Sequence, residues 1–385
     1  MKRIFAAFFA ALLFVSFCSA GAEVPAEPSV SATCAILVDA DTGRVLYEKN
    51  PNDQRAIASI TKLMTALVAV RSTPDLSQEV TVKREYTLTE GSSIYLKVGE
   101  ALTLEALLYG LMLESGNDAA LAVAGFCAGE VDTFIGWMND QAKELGMKNT
   151  QFSTPSGLKD EGNYSTAADM AKLARAVLAD ETLAKIVSTK SITMGTRTFT
   201  NHNKLLWRYE GCIGMKTGYT DKAGRTLVSA AERDGQRLIV VTLNAPNDWK
   251  DHAALFDYGF AKCPRQMLAL SGREVRSLAV TGSLIRLVSV TTTDDVYYPL
   301  LENEKVTSKI KLPESVSAPV RKGDIAGEMT FYLDGREIGK SYLEYSASVA
   351  ENAPKEKSLI ERVRELLQKP KETVLLAALY GEIRL

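Results

Sequence analysis

Ser59 stands three residues before Lys62 at the mouth of an apolar run, "AIASITKLMTALVAV" over residues 56–70, in which Lys62 is the only charge. The recurrence of Ala, Leu and Val around Lys62 predicts a helix with largely buried surroundings. An ammonium is costly there unless it has a partner or a chemical task. Positions i and i+3 of a helix share a face, so Lys62 Nζ is set to reach Ser59 Oγ, and Ser59 meets the positive end of the helix dipole. Burial disfavours the charged amine and lowers its pKa, and a neutral amine can take the serine proton. The pair is therefore a candidate serine nucleophile with a lysine base. The pattern alone is weak, because a chain of this length contains about one Ser-x-x-Lys by chance at average usage. A second instance, Ser156-Gly157-Leu158-Lys159, is present. Pro155 and Gly157 make it a loop, which removes the i, i+3 geometry.

Two further groups supply specificity. Ser115-Gly116-Asn117 falls in the break between the helical runs "LTLEALLYGLMLE" (102–114) and "DAALAVAGF" (118–126). There a hydroxyl and an amide would project into a cleft, although a turn with a helix N-cap has the same composition. Lys216-Thr217-Gly218, in "IGMKTGYTDKAGR", sits where a strand should begin, with a glycine that lets a ligand backbone approach closely. An exposed lysine before a turn would read alike. Histidine is an unpromising base: His202 and His252 are the only two, with no HExxH between them. Cys34, Cys127, Cys212 and Cys263 show no CxxC or Cys/His spacing, so they read as buried free thiols. A Ser-His-Asp triad or a zinc site is poorly supplied, and neither metal nor cofactor is expected.

The elements that must position these residues follow from pattern. The chain has 385 residues, 24% charged and 46% hydrophobic, with a net charge of −2. That is long enough for two domains and carries no basic excess that would point to nucleic acid. Residues 1–22 read as a secretory signal: Met1-Lys2-Arg3, an apolar run from Ile4 to Phe17, and the small-residue site Ala20-Gly21-Ala22. The run is shorter than the ~20 residues that a spanning helix needs. Cys34 to Tyr47 predicts a hairpin around Asp41-Thr42-Gly43, residues 165–187 one amphipathic helical stretch, and Thr226–Glu232 with Arg237–Leu243 a hairpin around Asp234-Gly235. A helical cluster on a mixed-order sheet results, over residues 23–262. Short β-rich runs in 263–350 predict a second, all-β domain. Residues 351–385 form a linker and tail, in which "SLIERVRELLQK" (358–369) places Leu359, Ile360, Val363, Leu366 and Leu367 on one helical face. "TVLLAALY" after Pro370 is too short to cross a bilayer, so the tail either lies on a membrane surface or caps the β domain.

Taken together, Ser59-Ile60-Thr61-Lys62, Ser115-Gly116-Asn117 and Lys216-Thr217-Gly218 resemble the three motifs of the penicillin-recognising serine enzymes. "IASITKLMTAL", "LMLESGNDAALAVA", "FSTPSGLKDEGNYSTAADMAKLA" and "GMKTGYTDKAGRTLVSAA" resemble the low-molecular-mass D-alanyl-D-alanine carboxypeptidases, and "APVRKGDIAGEMTFYLDGREIG" is similar to that family's second domain. The resemblance implies an α/β (α+β) penicillin-binding/β-lactamase-like transpeptidase domain, a helical cluster on an antiparallel sheet, followed by a small all-β domain. It implies a serine-type carboxypeptidase acting on peptidoglycan stem peptides that end in D-Ala-D-Ala, inhibited covalently by β-lactams. By resemblance Ser59 is the nucleophile, Lys62 the base and Ser115 a proton relay. Asn117 holds the substrate amide, Lys216 and Thr217 bind the terminal carboxylate, and the N–H groups of Ser59 and Tyr219, beside Gly218, form the oxyanion hole. The enzyme is expected outside the cytoplasm, peripheral on the outer face of the cytoplasmic membrane through its tail. Tyr219 stands where several members have His, and near "NAPNDWK", where some members place a basic residue that assists carboxylate binding, this chain reads Pro246-Asn247-Asp248. A class A β-lactamase, with Glu161 as the nearest candidate base, and a D,D-endopeptidase cleaving cross-links are the competing readings.

Overall fold

The computed structural model describes residues 26–158, 162–352, 360, 361, 363 and 364. The expected signal at 1–22, the side chains of Lys159 and Glu161, and most of the tail lie outside the described residues. The chain divides into two compact units, Met1–Arg265 with Pro299–Asn303, and Gln266–Tyr298 with Glu304–Leu385.

The first unit is built on strands β1 (Cys34–Asp39), β2 (Val45–Lys49), β3 (Cys212–Thr220), β4 (Gly224–Arg233) and β5 (Gln236–Leu243). They form one antiparallel sheet in the order β2-β1-β5-β4-β3, so the expected mixed order holds and β3 is an edge. The predicted hairpins close at Asp41-Thr42-Gly43 and at Asp234-Gly235, where φ of 49° and 73° suits the tight turn. β1 is buried at every position because both sheet faces are covered. Cys34, Ile36 and Val38 pack with the helical cluster, while Ala35 and Leu37 pack toward Leu255 and Phe256 of the last helix of this unit. That cluster comprises α1 (Lys62–Ser72), α2 (Leu104–Leu113), α3 (Asn117–Ala128), α4 (Val131–Glu144), α5 (Ala167–Ala179) and α6 (Glu181–Ser188). Helix α7 (Asp248–Lys262) covers the opposite face.

Three local features differ from the expectations. The stretch 165–187 is two helices, because Asp180 takes an extended conformation and its carboxylate accepts from Leu183 N at 2.9 Å. A short acidic side chain that satisfies an orphan helix donor starts a new helix better than it continues an old one. Lys216 lies in the middle of β3, which begins at Cys212, four residues before it. Of the four thiols, none of which is in a disulfide, Cys34 and Cys263 are buried while Cys127 and Cys212 are only half-buried.

The second unit holds β6 (Glu274–Thr281), β7 (Leu287–Thr292), β8 (Val306–Lys311), β9 (Ser315–Ser317), β10 (Ile325–Leu333) and β11 (Arg336–Tyr345). They form a sheet in the order β8-β10-β11-β7-β6-β9, antiparallel except for the parallel pair β6 and β9. Leu278, Val280, Val288, Val290, Val320, Tyr345 and Val349 make its core.

Because Asp180 caps α6, Asp180→Ala should lower the unfolding free energy by about 1 kcal/mol. Urea denaturation read by circular dichroism measures it, and an unchanged midpoint would show that the cap contributes nothing.

Candidate active site

The nucleophile candidate lies in a 3₁₀ turn, Ala58–Thr61, that runs directly into α1. In a 3₁₀ turn residues i and i+3 eclipse, which brings Ser59 and Lys62 closer to alignment than an α-helix would. Lys62 Nζ lies 2.9 Å from Ser59 Oγ, 2.8 Å from Asn117 Oδ1 and 2.8 Å from the Ser156 carbonyl. The lysine has no exposed surface. An ammonium would donate to all three oxygens, whereas a neutral amine donates to two and accepts the Ser59 proton on its lone pair. Burial, and then the neighbouring charge of Lys216, push the Lys62 pKa well below that of a free lysine, with Asp118 opposing. The neutral form is thereby favoured.

The Ser156 carbonyl comes from the stretch that the sequence offers as a second Ser-x-x-Lys. Thr65 Oγ1 donates to Pro155 O at 2.6 Å, and Asn163 Nδ2 donates to Thr61 Oγ1 at 2.8 Å. Gly157, at φ 76°, packs so closely that a Cβ would sit 2.0 Å from Ala58 O. Only glycine permits that approach. The loop thus contributes through its backbone what its side chains cannot.

Ser115 bridges α2 and α3 at φ 62°, a left-handed conformation that costs a non-glycine residue about 1–3 kcal/mol. The strain is held by α3: Asp118 Oδ1 accepts from Ile94 N at 3.0 Å, while its Oδ2 accepts from Ser93 Oγ at 2.6 Å and Leu96 N at 3.0 Å. Asn117 N donates to Ser92 O at 2.8 Å, and Asn117 Nδ2 donates to Glu90 O at 2.7 Å. With both ends of its amide engaged, Asn117 orients Lys62 in this structure.

Edge strand β3 presses on the nucleophile turn. A Cβ on Gly218 would lie 2.9 Å from Ser59 N and 2.5 Å from Thr226 Oγ1, which itself donates to Ile57 O at 3.0 Å. Lys216 is 1% exposed, its Nζ donates to Thr217 O at 3.0 Å, and burial pushes its pKa down to about 7.

A cavity of about 350 Å³ opens over this assembly, lined by Ser59, Ser115, Thr217, Gly218 and Tyr219, with Ser92, His202, Lys204, Arg225, Asp248 and Trp249. Lys62, Asn117 and Lys216 lie buried beneath or beside it and do not line it. Sequence reasoning missed the Ser156 carbonyl, His202, Lys204, Arg225, Asp248 and Trp249. Arg225 Nη2 bonds Asp248 Oδ2 at 2.8 Å, and the guanidinium lies 5.4 Å from the Trp249 ring centroid. "NAPNDWK" therefore supplies an acid and a ring that hold a base from β4. Residues 23 positions apart carry no local signal of this. His202 Nε2 lies 3.3 Å from Glu114 Oε2, and burial with the charge of Lys216 lowers its pKa. His252 is deep in the core between Ser229 Oγ and Thr242 Oγ1, its pKa pushed down to about 3 by burial. It packs the sheet against α7. A larger groove of about 930 Å³ is lined in part by Glu90 and Ser156, whose carbonyls accept from Asn117 and Lys62.

Lys216 gives a stability prediction with a definite sign. Its folded pKa of about 7 lies below the 10.5 of a free lysine, so between these values the unfolded chain binds more protons. The cost of burying it is full below pH 7 and is relieved as pH rises toward 10.5. Lys216→Met should therefore stabilise the fold by on the order of a few kcal/mol at or below neutrality, and the gain should shrink as pH rises. Chemical denaturation from about pH 6 to about pH 10 reads this, and a pH-independent difference would contradict it.

Comparison with known proteins places this geometry. Residues 21–247 match a family model described as D-alanyl-D-alanine carboxypeptidase, and residues 268–352 match one described as the C-terminal domain of penicillin-binding protein 5. The chain is 31% identical over 361 residues to the D-alanyl-D-alanine carboxypeptidase DacF of Bacillus subtilis, covering 89% of this chain and 93% of that protein. It is 33% identical over 335 residues to DacA of Escherichia coli, covering 82% and 83%. Among solved structures, penicillin binding protein 5 from Haemophilus influenzae superposes with a TM-score of 0.67 at 29% identity, covering 85% of this chain and 100% of that one. The D-alanyl-D-alanine carboxypeptidase from Mycobacterium tuberculosis gives 0.60 at 36% identity, covering 63% and 96%. The match takes in the nucleophile turn, the strained serine and the edge strand, with the β unit matched separately; the chain belongs to the D-alanyl-D-alanine carboxypeptidase family, serine peptidases of the penicillin-binding type.

Proposed function

We propose that the enzyme removes the terminal D-Ala from peptidoglycan stem pentapeptides through an acyl-enzyme on Ser59. The observation that carries this reading is the buried Lys62 Nζ, 2.9 Å from Ser59 Oγ and 2.8 Å from two further oxygens. Neutral Lys62 takes the Ser59 proton as Oγ attacks the carbonyl carbon of the penultimate D-Ala. The Ser59 and Tyr219 N–H groups receive the oxyanion, the largest single rate contribution in acyl transfer. Ser115, lining the same cavity, passes a proton to the leaving amine, the C–N bond breaks, and terminal D-Ala departs. Water then cleaves the ester and returns the proton. For Asn117 to hold the substrate amide, its Nδ2 exchanges the Glu90 carbonyl for the substrate.

The terminal carboxylate meets the Thr217 hydroxyl, the field of buried Lys216, and Arg225. Arg225 lines the cavity and is held there by Asp248 and Trp249. A β-lactam acylates Ser59 by the same steps. The signal segment delivers the enzyme outside the cytoplasm, and residues 351–385 hold it on the outer face of the cytoplasmic membrane by apolar burial.

Ser59→Ala should abolish both labelling by a fluorescent penicillin and D-alanine release while keeping the melting profile. Lys62→Arg should lower both by roughly a thousandfold, since guanidinium cannot deprotonate to act as base. Full labelling of folded Ser59→Ala, or retention of most activity by Lys62→Arg, would remove the assigned roles. Acylation of the parent enzyme should fall as pH drops through the depressed pKa of Lys62, because only the neutral amine is a base.

Arg225→Leu should raise KM for a D-Ala-D-Ala peptide roughly ten- to hundredfold, the loss of a charge-assisted hydrogen bond. It should leave cleavage of the C-terminally amidated peptide unchanged. An equal loss on both peptides would assign Arg225 a purely structural role.

A further inference from the structure

We infer that the tip of the β6–β7 hairpin, Leu284 to Leu287, is a second lipid-contacting element of the β unit, beside the point where the C-terminal segment departs. The inference rests on the proposed membrane association of that segment and extends it to a surface on the folded unit. Three of four consecutive residues at the tip are exposed aliphatics, Leu284 at 64%, Ile285 at 49% and Leu287 at 61%, with exposed Arg286 among them. Single exposed aliphatics are ordinary, but this tip is a contiguous patch.

The tip is held rather than loose. Ser283, fully buried, donates from Oγ to Asn352 Oδ1 at 3.0 Å and accepts from Ile285 N at 3.2 Å. Leu284 N donates to the same Asn352 oxygen at 2.8 Å, and Asn352 N donates to Gly282 O. The chain that leads into the amphipathic stretch 358–369 is thus tied to the tip by hydrogen bonds.

Strand register puts more of the same chemistry at this end of the sheet. β6 and β9 run parallel, with Thr281 opposite Ser317, and continue into the tip and into Arg321-Lys322. β10 begins at Ile325, opposite Glu344 of β11, and Val290 of β7 pairs with Tyr345, so the β10 start and the β11 end lie there too. Ile325 is 57% exposed. Arg286, Arg321 and Lys322 stand beside Asp324, Glu344 and Glu351, a balanced set, so apolar burial carries the contact while the long cationic stems reach headgroups from apolar depth. Among the described residues of the tail, Ile360 and Val363, on its apolar face, are 77% and 48% exposed. A lipid surface satisfies the tip and the tail together, because both are reached from one end of the sheet.

The test uses the mature full-length chain and vesicles of mixed phosphatidylglycerol and phosphatidylcholine. Substituting Leu284→Ser, Ile285→Ser and Leu287→Ser together should lower the vesicle partition coefficient roughly tenfold or more, with melting temperature and peptide cleavage unchanged. In a separate Leu284→Trp variant, brominated lipid should quench the added indole emission above the parent background. Deleting residues 355–385 should weaken binding further and leave a weak remaining affinity that the triple substitution removes. Parent-like binding of the triple variant, or an unquenched indole, overturns the hairpin's role even where the deletion abolishes binding. Loss in the triple variant with none in the deletion overturns the tail's role and leaves the hairpin as the contact. A concentration-dependent dimer in sedimentation that the triple substitution dissolves, without vesicle binding, assigns the tip to a second copy of the chain and overturns the inference.

Discussion

The cost of keeping an amine out of water organises this molecule. Lys62 is sealed between the 3₁₀ turn Ala58–Thr61, α3 and the 153–158 loop, and each wall hands it one oxygen. Burial pulls its pKa down, and only the neutral amine can take a proton from serine. The packing around it is therefore part of the proposed chemistry. Gly157 and Gly218 lack side chains where a Cβ would collide with the nucleophile turn, and Asp118 ties down the loop that backs Asn117. A second buried cation, Lys216, strengthens the same bias by repulsion.

Much of this was legible in order and spacing. A lone charge in an apolar helical run names Lys62, its i−3 neighbour names Ser59, and a break between two helices names Ser115 and Asn117. Hydrophobic periodicity also yielded the hairpins and the β-rich second unit. What stayed hidden has a common physical character. The Ser156 carbonyl is a backbone group, and no side-chain pattern reports where a carbonyl points. Arg225 with Asp248 and Trp249 is a contact across 23 residues, made by tertiary packing alone. The 3₁₀ turn at Ala58–Thr61 and the cap at Asp180 hinge on one or two dihedral angles, which average patterns smooth away.

The two units solve different problems with the same polymer. In the first, strand β1 is buried throughout because helices cover both sheet faces. In the second, strands such as β6 alternate buried and exposed residues toward their ends. That contrast explains why a fixed aliphatic tip stands out in the second unit: the strands that lead to it are patterned to be wet on one face.

Edge strand β3 has one more consequence. An edge with an open row of N–H and C=O groups is a template for any extended chain, including another copy of the same protein, and such pairing leads to aggregation. An edge that lines the cavity cannot be closed by a further strand without filling the cleft. This strand answers the hazard in its own composition: Lys216 sits at its centre, Gly218 weakens its pairing propensity, and Asp221 and Lys222 follow at once. Replacing that lysine with an apolar residue would stabilise the monomer and, by the same stroke, make the edge a better seed for insoluble sheet.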